Sequence, residues 1–360
     1  MTVSKYNGVA STFNGVARRF DFAPLEADKL NWYPRSALPP EIPAIDLNKV
    51  NTEEELAQFL VDIRKSGLFY IVDHGIPEEI SIGCYNAFRE FCNLPEEARE
   101  KYNTDESFKS GGYVPFKGTS IGGGNLFERQ KDFVVKFFWR GPSVVNRSPN
   151  DRFAEFHDEH HRKTAELAEK IITTILKALK TRFPEFHPDE LKDNINVRNM
   201  FFSNRIYPEA PPDDGEKADY RLVPHRDLSF ITLANQVPAN NGFKGLFILT
   251  GDGEKIPVPP IRNSYLVFIG QGLSYLTNKY LPAALHGVDF PDNTNFEGSE
   301  RASLISFYEP NDYMMPSKNI NPLPEEIFEK SCTFYDDVGV GRAGTTYNYV
   351  RYKFHEGYYL

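Results

Sequence analysis

The stretch Leu222-Val-Pro-His225-Arg-Asp227-Leu-Ser-Phe-Ile-Thr-Leu233 carries the pattern on which the fold prediction depends. Two short apolar runs flank a polar break, which is typical of two strands that meet at the edge of a sheet. His225 and Asp227 are separated by one residue, and side chains at this spacing point the same way on a strand but diverge on a helix. We therefore expect both side chains to face one interior.

Similar short runs, each flanked by Pro, Gly, Asn or Asp, lie on both sides of this stretch. They cover residues 199–207, 220–225, 229–235, 243–249, 264–269, 274–277, 284–290 and 302–308. Short strands at this spacing predict a double-sheet jelly roll or a barrel. The composition, with 14% aromatic residues, 26 Pro and 25 Gly, also favours a β-rich fold over a helical bundle.

The sequence pattern before residue 198 predicts mostly helices. The predicted elements are strands at 42–47, 68–72 and 133–139, and helices at about 51–67, 78–93 and 148–179. The first two strands are too few for a sheet of their own, so the fold class is predicted as mainly β with flanking helices, in one domain.

The predicted domain covers residues 42–330, with a helical part at 42–197 and the strand-rich core at 198–310. Residues 1–41 are expected to form an N-terminal arm over the body. Residues 331–360 are expected to form a C-terminal lid or tail.

Charge and cysteine content exclude several classes of protein. The chain has 41 Lys and Arg against 50 Asp and Glu, a net charge of −9, which argues against a general nucleic-acid binder. No apolar run approaches the roughly 18 residues of a membrane helix, and the N-terminus lacks a signal core. Three cysteines do not suggest a disulfide framework, so a reducing, cytoplasmic location is predicted, with Cys84 and Cys92 as core residues. The oligomeric state stays open.

Histidines with a carboxylate two positions later are candidate metal ligands. His157/Glu159 lies within the longest predicted helix, and His187/Asp189 resembles the loop before a helix, which leaves His225 and Asp227. His286 lies in another strand-like run and supplies a third ligand. Two His and one Asp form a facial triad, which suits non-haem Fe(II) and its chemistry with O2.

Two other interpretations of the histidines remain open at this point. His286 taken alone is more simply interpreted as a hydrogen-bonded core residue. His157 and His161 have a spacing that binds zinc on a helix, but Asp158 stands where a zinc protease has Glu. The simplest interpretation of that pair is the solvated face of a helix.

Arg301 and Ser303 lie on one face of the apolar strand that begins at Arg301. A buried Arg needs a fixed anionic partner, and no acid alternates with it on this strand. A carboxylate ligand would supply that partner, with the Ser303 hydroxyl as a second donor. An internal bridge from Arg301 to an Asp or Glu is the alternative.

Taken together, these residues resemble the Fe(II)/2-oxoglutarate-dependent dioxygenases of the isopenicillin N synthase-like group. His225-x-Asp227, His286 and Arg301-x-Ser303 match the iron and co-substrate motifs of that family in order and spacing. The segment from Ser66 to Ile76 is similar to its N-terminal region. The resemblance covers roughly residues 42–310 and implies a double-stranded β-helix (jelly roll) core, Fe(II), 2-oxoglutarate as co-substrate, and O2.

Within the group, Asn204-Arg205-Ile-Tyr207-Pro208 is similar to the deacetoxycephalosporin C synthases, which expand rings. Fungal ring-expanding relatives, such as tropolone-forming dioxygenases, fit the sequence equally well. The resemblance implies that Tyr207 helps to bind 2-oxoglutarate and that Arg205 faces an anion or phenol of the substrate. Phe230 is predicted as a pocket wall. The remaining predicted substrate contacts are Asn348 and Tyr349 on the C-terminal lid.

The predicted function is the 2-oxoglutarate-dependent oxidation of a small secondary metabolite. Hydrogen abstraction from a C–H bond would lead to hydroxylation or to oxidative ring expansion, for example to a tropolone. One alternative is an iron oxidase that uses no 2-oxoglutarate, as in isopenicillin N synthase, which also has the Arg-x-Ser motif. The other is a non-catalytic small-molecule binding protein on the same fold.

Overall fold

The computed structural model describes residues 9–10, 19–104, 111–121, 130–141, 146–184, 186, 201–209, 218–250, 253–277, 279–291 and 296–308. The strands are β1 (Val9–Ala10), β2 (Arg19–Phe20), β3 (Ala44–Ile45), β4 (Leu68–Val72), β5 (Gly112–Val114), β6 (Ser120–Ile121), β7 (Gln130–Lys131), β8 (Val135–Arg140), β9 (Phe201–Tyr207), β10 (Tyr220–His225), β11 (Ile231–Val237), β12 (Leu246–Leu249), β13 (Lys255–Pro257), β14 (Ser264–Ile269), β15 (His286–Asp289) and β16 (Arg301–Tyr308).

The α-helices are α1 (Glu53–Ile63), α2 (Glu78–Cys92), α3 (Glu96–Arg99), α4 (Asp151–Arg182) and α5 (Gln271–Leu276). Short 3-10 turns lie at Ala27–Lys29, Arg35–Ala37, Leu47–Lys49 and Glu100–Tyr102. None of the helices among the described residues is long and apolar enough to cross a membrane.

Two sheets make up the core, and their strand pairs are antiparallel except for the parallel pair β3 and β4. The large sheet has the order β3-β4-β14-β11-β16-β9-β8-β5, and the small sheet has the order β10-β15-β12-β13. The N-terminal strand β4 belongs to the large sheet, because Leu68–Val72 pairs with Ser264–Phe268 of β14. All five residues of β4 are buried, as expected for a strand that is covered on both faces.

The inner face of the large sheet packs against the small sheet. An apolar cluster fills the space between them, with side chains such as Leu222, Ile248 and Val288 from the small sheet and Ala234 and Leu266 from the large sheet. The alternation of side chains along each strand sends the neighbours of these residues to the opposite, outer face.

The outer face of the large sheet packs against α1, α2 and α4. Helix α1 begins with a capping box, in which Thr52 and Glu55 each bond the other's backbone N–H. Helix α4 is capped by Asn150, whose side chain accepts a hydrogen bond from the Phe153 N–H. The helices and strands therefore form one layered arrangement, and the predicted mainly β class with flanking helices is confirmed.

Two predictions about local structure are wrong. Residues 274–277 were expected in a strand, but most of them lie in helix α5, where the Ser274 N–H bonds the Gly270 carbonyl. So short an apolar run does not distinguish a helix from a strand. The solvated helix face expected for His157 and His161 is buried instead, because this face of α4 packs on the large sheet.

Cys84 and Cys92 are buried core residues, as predicted, and both thiols are free. Other predictions concern segments outside the described residues. These are the C-terminal lid at 331–360, with Asn348 and Tyr349, and the His187/Asp189 pair.

Candidate metal centre

His225, Asp227 and His286 come together at one end of the small sheet. Strands β10 and β15 pair antiparallel with His225 directly opposite His286, and their ring centroids lie 4.5 Å apart. The Asp227 Oδ1 atom lies 3.6 Å from His225 Nε2 and 3.9 Å from His286 Nε2. All the candidate ligand atoms lie within 4.8 Å of one another, so a single ion could contact all three.

The backbone orients both imidazoles with Nε2 towards Asp227. The Nδ1–H of His225 donates to the Val223 carbonyl at 2.7 Å, and that of His286 donates to the Ala284 carbonyl at 3.1 Å. A proton on Nδ1 leaves the Nε2 lone pair for a metal ion, which is the arrangement common to metal-binding histidines. In each case the acceptor lies two residues before the histidine, so the local backbone fixes the ring.

The charge of this cluster fits a divalent cation. Burial pushes the pKa of Asp227 upward, but the two imidazoles and the Thr232 hydroxyl together bring it below its ordinary value. Burial lowers the pKa of His286 to about 4. The carboxylate is thus ionised and His286 neutral at pH 7, as ligation requires. Asp227 Oδ2 is buried without a partner among the described residues, which an ion in this position would provide.

The large sheet contributes the facing wall of the site. Phe268, Thr232 and Phe307 form a row across β14, β11 and β16. The Phe268 ring lies 4.3 Å from the ring of His286, so this row marks the face that points towards the triad. Alternate residues of a strand share a face, which places Arg301 and Ser303 on this side as well.

Arg301 is buried and makes no ion pair with a carboxylate within the described part of the chain. Its guanidinium donates to Gln236 Oε1 at 2.5 Å and lies over the Tyr207 ring, 4.9 Å from the centroid. The predicted alternative, an internal bridge to an acid, is therefore not found among these residues. Such a buried cation calls for an anionic partner. Ser303, with its own hydroxyl, stands on the same face.

The remaining predicted site residues divide into two groups. Tyr207 pairs with Arg301 and Arg205 pairs with Ser303 across β9 and β16, so both face the site. Phe230 instead packs in the core cluster between the large sheet and the helices. It lies just before the first residue of β11, where strand alternation does not yet apply, so its prediction as a pocket wall is not supported.

Sequence reasoning missed several residues at this site. Phe268 and Gln236 are brought in by strand register, which no motif reveals. Arg221 is fully buried, donates to the Ser299 carbonyl and hydroxyl at 2.9 Å each, and has its pKa lowered to about 9 by burial and by Arg301. Its position four residues before His225 could have drawn attention to it.

Two family models match the chain. Residues 197–310 match the "2OG-Fe(II) oxygenase superfamily", and residues 42–157 match the "non-haem dioxygenase in morphine synthesis N-terminal" region. The first range includes all three residues of the triad and the strand that begins at Arg301.

Known proteins agree with the family models. The chain is 64% identical over 342 residues to an alpha-ketoglutarate dependent kainoid synthase of Pseudo-nitzschia multiseries, covering 94% of this chain and 91% of the relative. It is 24% identical to deacetoxycephalosporin C synthase of Amycolatopsis lactamdurans, covering 83% and 94%. The fold matches the crystal structure of a full-length Neurospora crassa protein in complex with alpha-KG, with a TM-score of 0.62, 19% identity and coverage of 86% and 95%.

Proposed function

Because the chain belongs to the 2OG-Fe(II) oxygenase superfamily, we propose that His225, Asp227 and His286 are its iron ligands. The protein is an Fe(II)/2-oxoglutarate-dependent dioxygenase with a jelly-roll core that acts on a small molecule. The observation that best supports this ligand assignment is the convergence of three candidate ligand atoms, together with a buried Asp227 oxygen, Oδ2, that lacks a partner among the described residues.

Each protein group has a defined task in this proposal. Iron, 2-oxoglutarate and O2 together supply an oxidant able to break a C–H bond, with release of succinate and CO2. His225 and His286 would present their Nε2 atoms, because their Nδ1–H groups donate to the backbone. Asp227 supplies negative charge. The aromatic row that includes Phe268 and Phe307 keeps bulk water from this end of the sandwich.

The co-substrate would bind on the large sheet. We assign the distal carboxylate of 2-oxoglutarate to Arg301, Ser303 and Tyr207, which share one face and lie on the paired strands β9 and β16. Arg301 is held in place by Gln236 and by the Tyr207 ring, so the guanidinium is fixed before the ligand arrives. Arg205 would contact an anionic or phenolic group of the organic substrate.

For the reaction, the 64% identical relative is the strongest guide. We propose that this chain forms a kainoid or a product closely related to one. Identity at this level extends along nearly the whole chain, so it includes both sheets and the site between them. The ring expansion of tropolone type predicted from the sequence is the second candidate, supported by the likeness to deacetoxycephalosporin C synthase.

We further propose that residues 42–330 form one domain, supported by the pairing of Leu68–Val72 with Ser264–Phe268. A cytoplasmic location is proposed because Cys84 and Cys92 are free thiols.

The ligand assignment is tested by anaerobic titration of Fe(II) and 2-oxoglutarate. The loaded protein should develop a weak visible charge-transfer band, which His225→Ala should lose. His74→Asn, a change outside the triad, should keep the band. Arg301→Met should raise the Kd for 2-oxoglutarate at least tenfold, and the matched change Arg262→Met at an exposed site should not. A wild-type protein that binds neither iron nor 2-oxoglutarate would contradict the assignment.

The reaction is tested beside the Pseudo-nitzschia enzyme. Both proteins receive the substrate of that enzyme with Fe(II), 2-oxoglutarate and O2, and the products are compared by liquid chromatography and mass spectrometry. A shared product supports kainoid formation. Succinate release without conversion of that substrate would contradict it.

A further inference from the structure

A row of polar and charged side chains crosses four strands on the inner face of the large sheet. Strand register places Gln236, Ser303, Arg205 and Lys136 side by side on β11, β16, β9 and β8. Directly paired residues of antiparallel strands point to the same side, and neighbouring strands lie about 4.8 Å apart. Lys136 thus lies two strands, or about 10 Å, from Ser303. It stands beyond the residues assigned to 2-oxoglutarate.

Lys136 is fully buried, and its ammonium group is held from one side. The Nζ atom donates to Thr119 Oγ1 at 2.7 Å and to Asp132 Oδ2 at 2.8 Å. The Thr119 hydroxyl donates to the same carboxylate oxygen at 2.6 Å. Among the described residues, these are the two hydrogen bonds that Nζ makes. An ammonium group carries three donors, so none of the described residues takes the third.

Arg205 lies within electrostatic reach of both Lys136 and the metal centre. Burial is the main reason that the pKa of Lys136 falls to about 8; Asp132 opposes this shift and Arg205 adds to it. Burial is also the main cause of the lowered pKa of His286, and Arg205 again contributes. Because Arg205 and Lys136 are paired residues of β9 and β8, an anion placed beside Arg205 would also be close to Lys136.

Aromatic side chains adjoin the two cations. Phe138, Phe201 and Phe307 form an apolar cluster, and the Phe201 and Phe307 rings stack with centroids 4.8 Å apart. The Arg205 guanidinium lies 5.5 Å from the centroid of Phe307. Cations and apolar rings thus stand next to each other, which suits a molecule that has both an acidic group and an apolar part.

We propose that Lys136 and Arg205 form a subsite for a carboxylate group of the organic substrate, with the Phe138, Phe201 and Phe307 cluster against its apolar part. This inference rests on the proposed function, because it places the substrate beside the iron centre. A carboxylate has two oxygens, one for the planar guanidinium and one for the third donor of the ammonium group. Asp132 and Thr119 position Lys136 and do not themselves contact the substrate.

The test compares 3-phenylpropanoate with its neutral amide by calorimetric titration of the anaerobic protein saturated with Fe(II) and 2-oxoglutarate. Wild type should bind the acid at least tenfold more tightly than the amide. In Lys136→Met/Asp132→Asn, which removes both charges of the buried pair, this preference should fall at least fivefold while the Kd for 2-oxoglutarate stays unchanged. Equal affinities in wild type, or an unaltered preference in the variant, would overturn the proposal.

The matched control is Lys255→Met/Asp289→Asn. This pair has the same chemistry, with an N–O distance of 2.7 Å, but lies at the surface. The preference for the acid should stay at its wild-type value in this control.

A second measurement needs no variant and therefore does not depend on folding of the double mutant. Lys136 faces Asp132 and Thr119 on the preceding segment and Arg205 on β9, and of these groups Lys136 titrates near pH 8. From pH 7 to pH 9 the affinity for the acid should fall about tenfold as the ammonium loses its proton. The affinity for the amide should not change. A flat profile for the acid would overturn the proposal.

Repeating the titration without Fe(II) and 2-oxoglutarate separates this inference from the proposed function. A protein that binds neither iron nor co-substrate but still prefers the acid contradicts the function and supports the subsite. A protein that binds both and shows no preference contradicts the subsite alone.

Discussion

Replacing His157 by Phe is expected to make the protein less sensitive to acid. His157 is fully buried on α4, with its ring stacked 3.8 Å from Phe153 and 5.3 Å from Phe202. Burial lowers its pKa from 6.5 to about 3, although the hydrogen bond to the Phe153 carbonyl opposes the shift. Between these two pH values, the unfolded chain binds a proton that the folded protein excludes.

The sign and size of the effect follow from this difference. The stability that the neutral imidazole contributes is complete above pH 6.5 and is lost as the pH falls from 6.5 towards 3. Each pH unit well inside this window costs about 1.4 kcal/mol. Between pH 7 and pH 5, wild type should therefore lose about 2 kcal/mol through His157 alone.

The assay is urea unfolding of wild type and His157→Phe at pH 7 and pH 5. The variant should lose about 2 kcal/mol less than wild type over this interval, whatever the substitution costs at pH 7. Thr164→Val is the control, since it removes a buried hydroxyl from the same helix without removing a titrating group. Equal losses in wild type and His157→Phe would refute the reasoning, because another group would then carry the acid sensitivity.

Three further changes have defined outcomes. Gly245→Ala should raise the Kd for 2-oxoglutarate, because φ is +69° and the new Cβ would lie 2.9 Å from Arg301 Cδ; an unchanged Kd in a fluorescence titration would contradict this. Asp227→Asn should weaken Fe(II) binding at least a hundredfold, because the one anionic ligand of the triad is lost; calorimetry with Fe(II) measures this, and near-normal affinity would argue against the site. Thr52→Ala should cost about 1 kcal/mol in urea unfolding, because the Glu55 N–H loses its cap, and a cost near zero would show that the capping box is unimportant.

Strands with strong local signals could be predicted well from the sequence. Leu68–Val72 and Ser264–Ile269 have the bounds expected from their apolar, β-rich composition. Residues 274–277 could not be assigned in the same way, because the turn of helix there depends on the preceding bend, where the Gly270 N–H bonds the Phe230 carbonyl. Tertiary contacts decide such short runs.

The candidate site likewise contains residues that have a local sequence signal and residues that only tertiary structure brings together. His225, Asp227, His286 and Arg301 could be proposed from residue type and spacing, since ligation and ion pairing demand specific chemistry. Lys136 could not be proposed in this way, because its neighbours depend on the register of three strands that are distant in the sequence. Sequence motifs therefore identify the candidate metal and anion ligands. Strand register, which the sequence does not reveal, determines which other side chains lie next to them.

The two sheets carry different parts of the chemistry. Both histidines belong to the small sheet, while Arg301, Ser303, Tyr207 and the proposed carboxylate subsite belong to the large sheet. A loaded centre would therefore link the two layers, and the spacing between the layers would set how well it forms. Because of this separation, substitutions in the large sheet need not disturb the two histidines of the small sheet. Exchanges along the rows of the large sheet could redirect the enzyme to a new substrate while the paired histidine strands stay as they are.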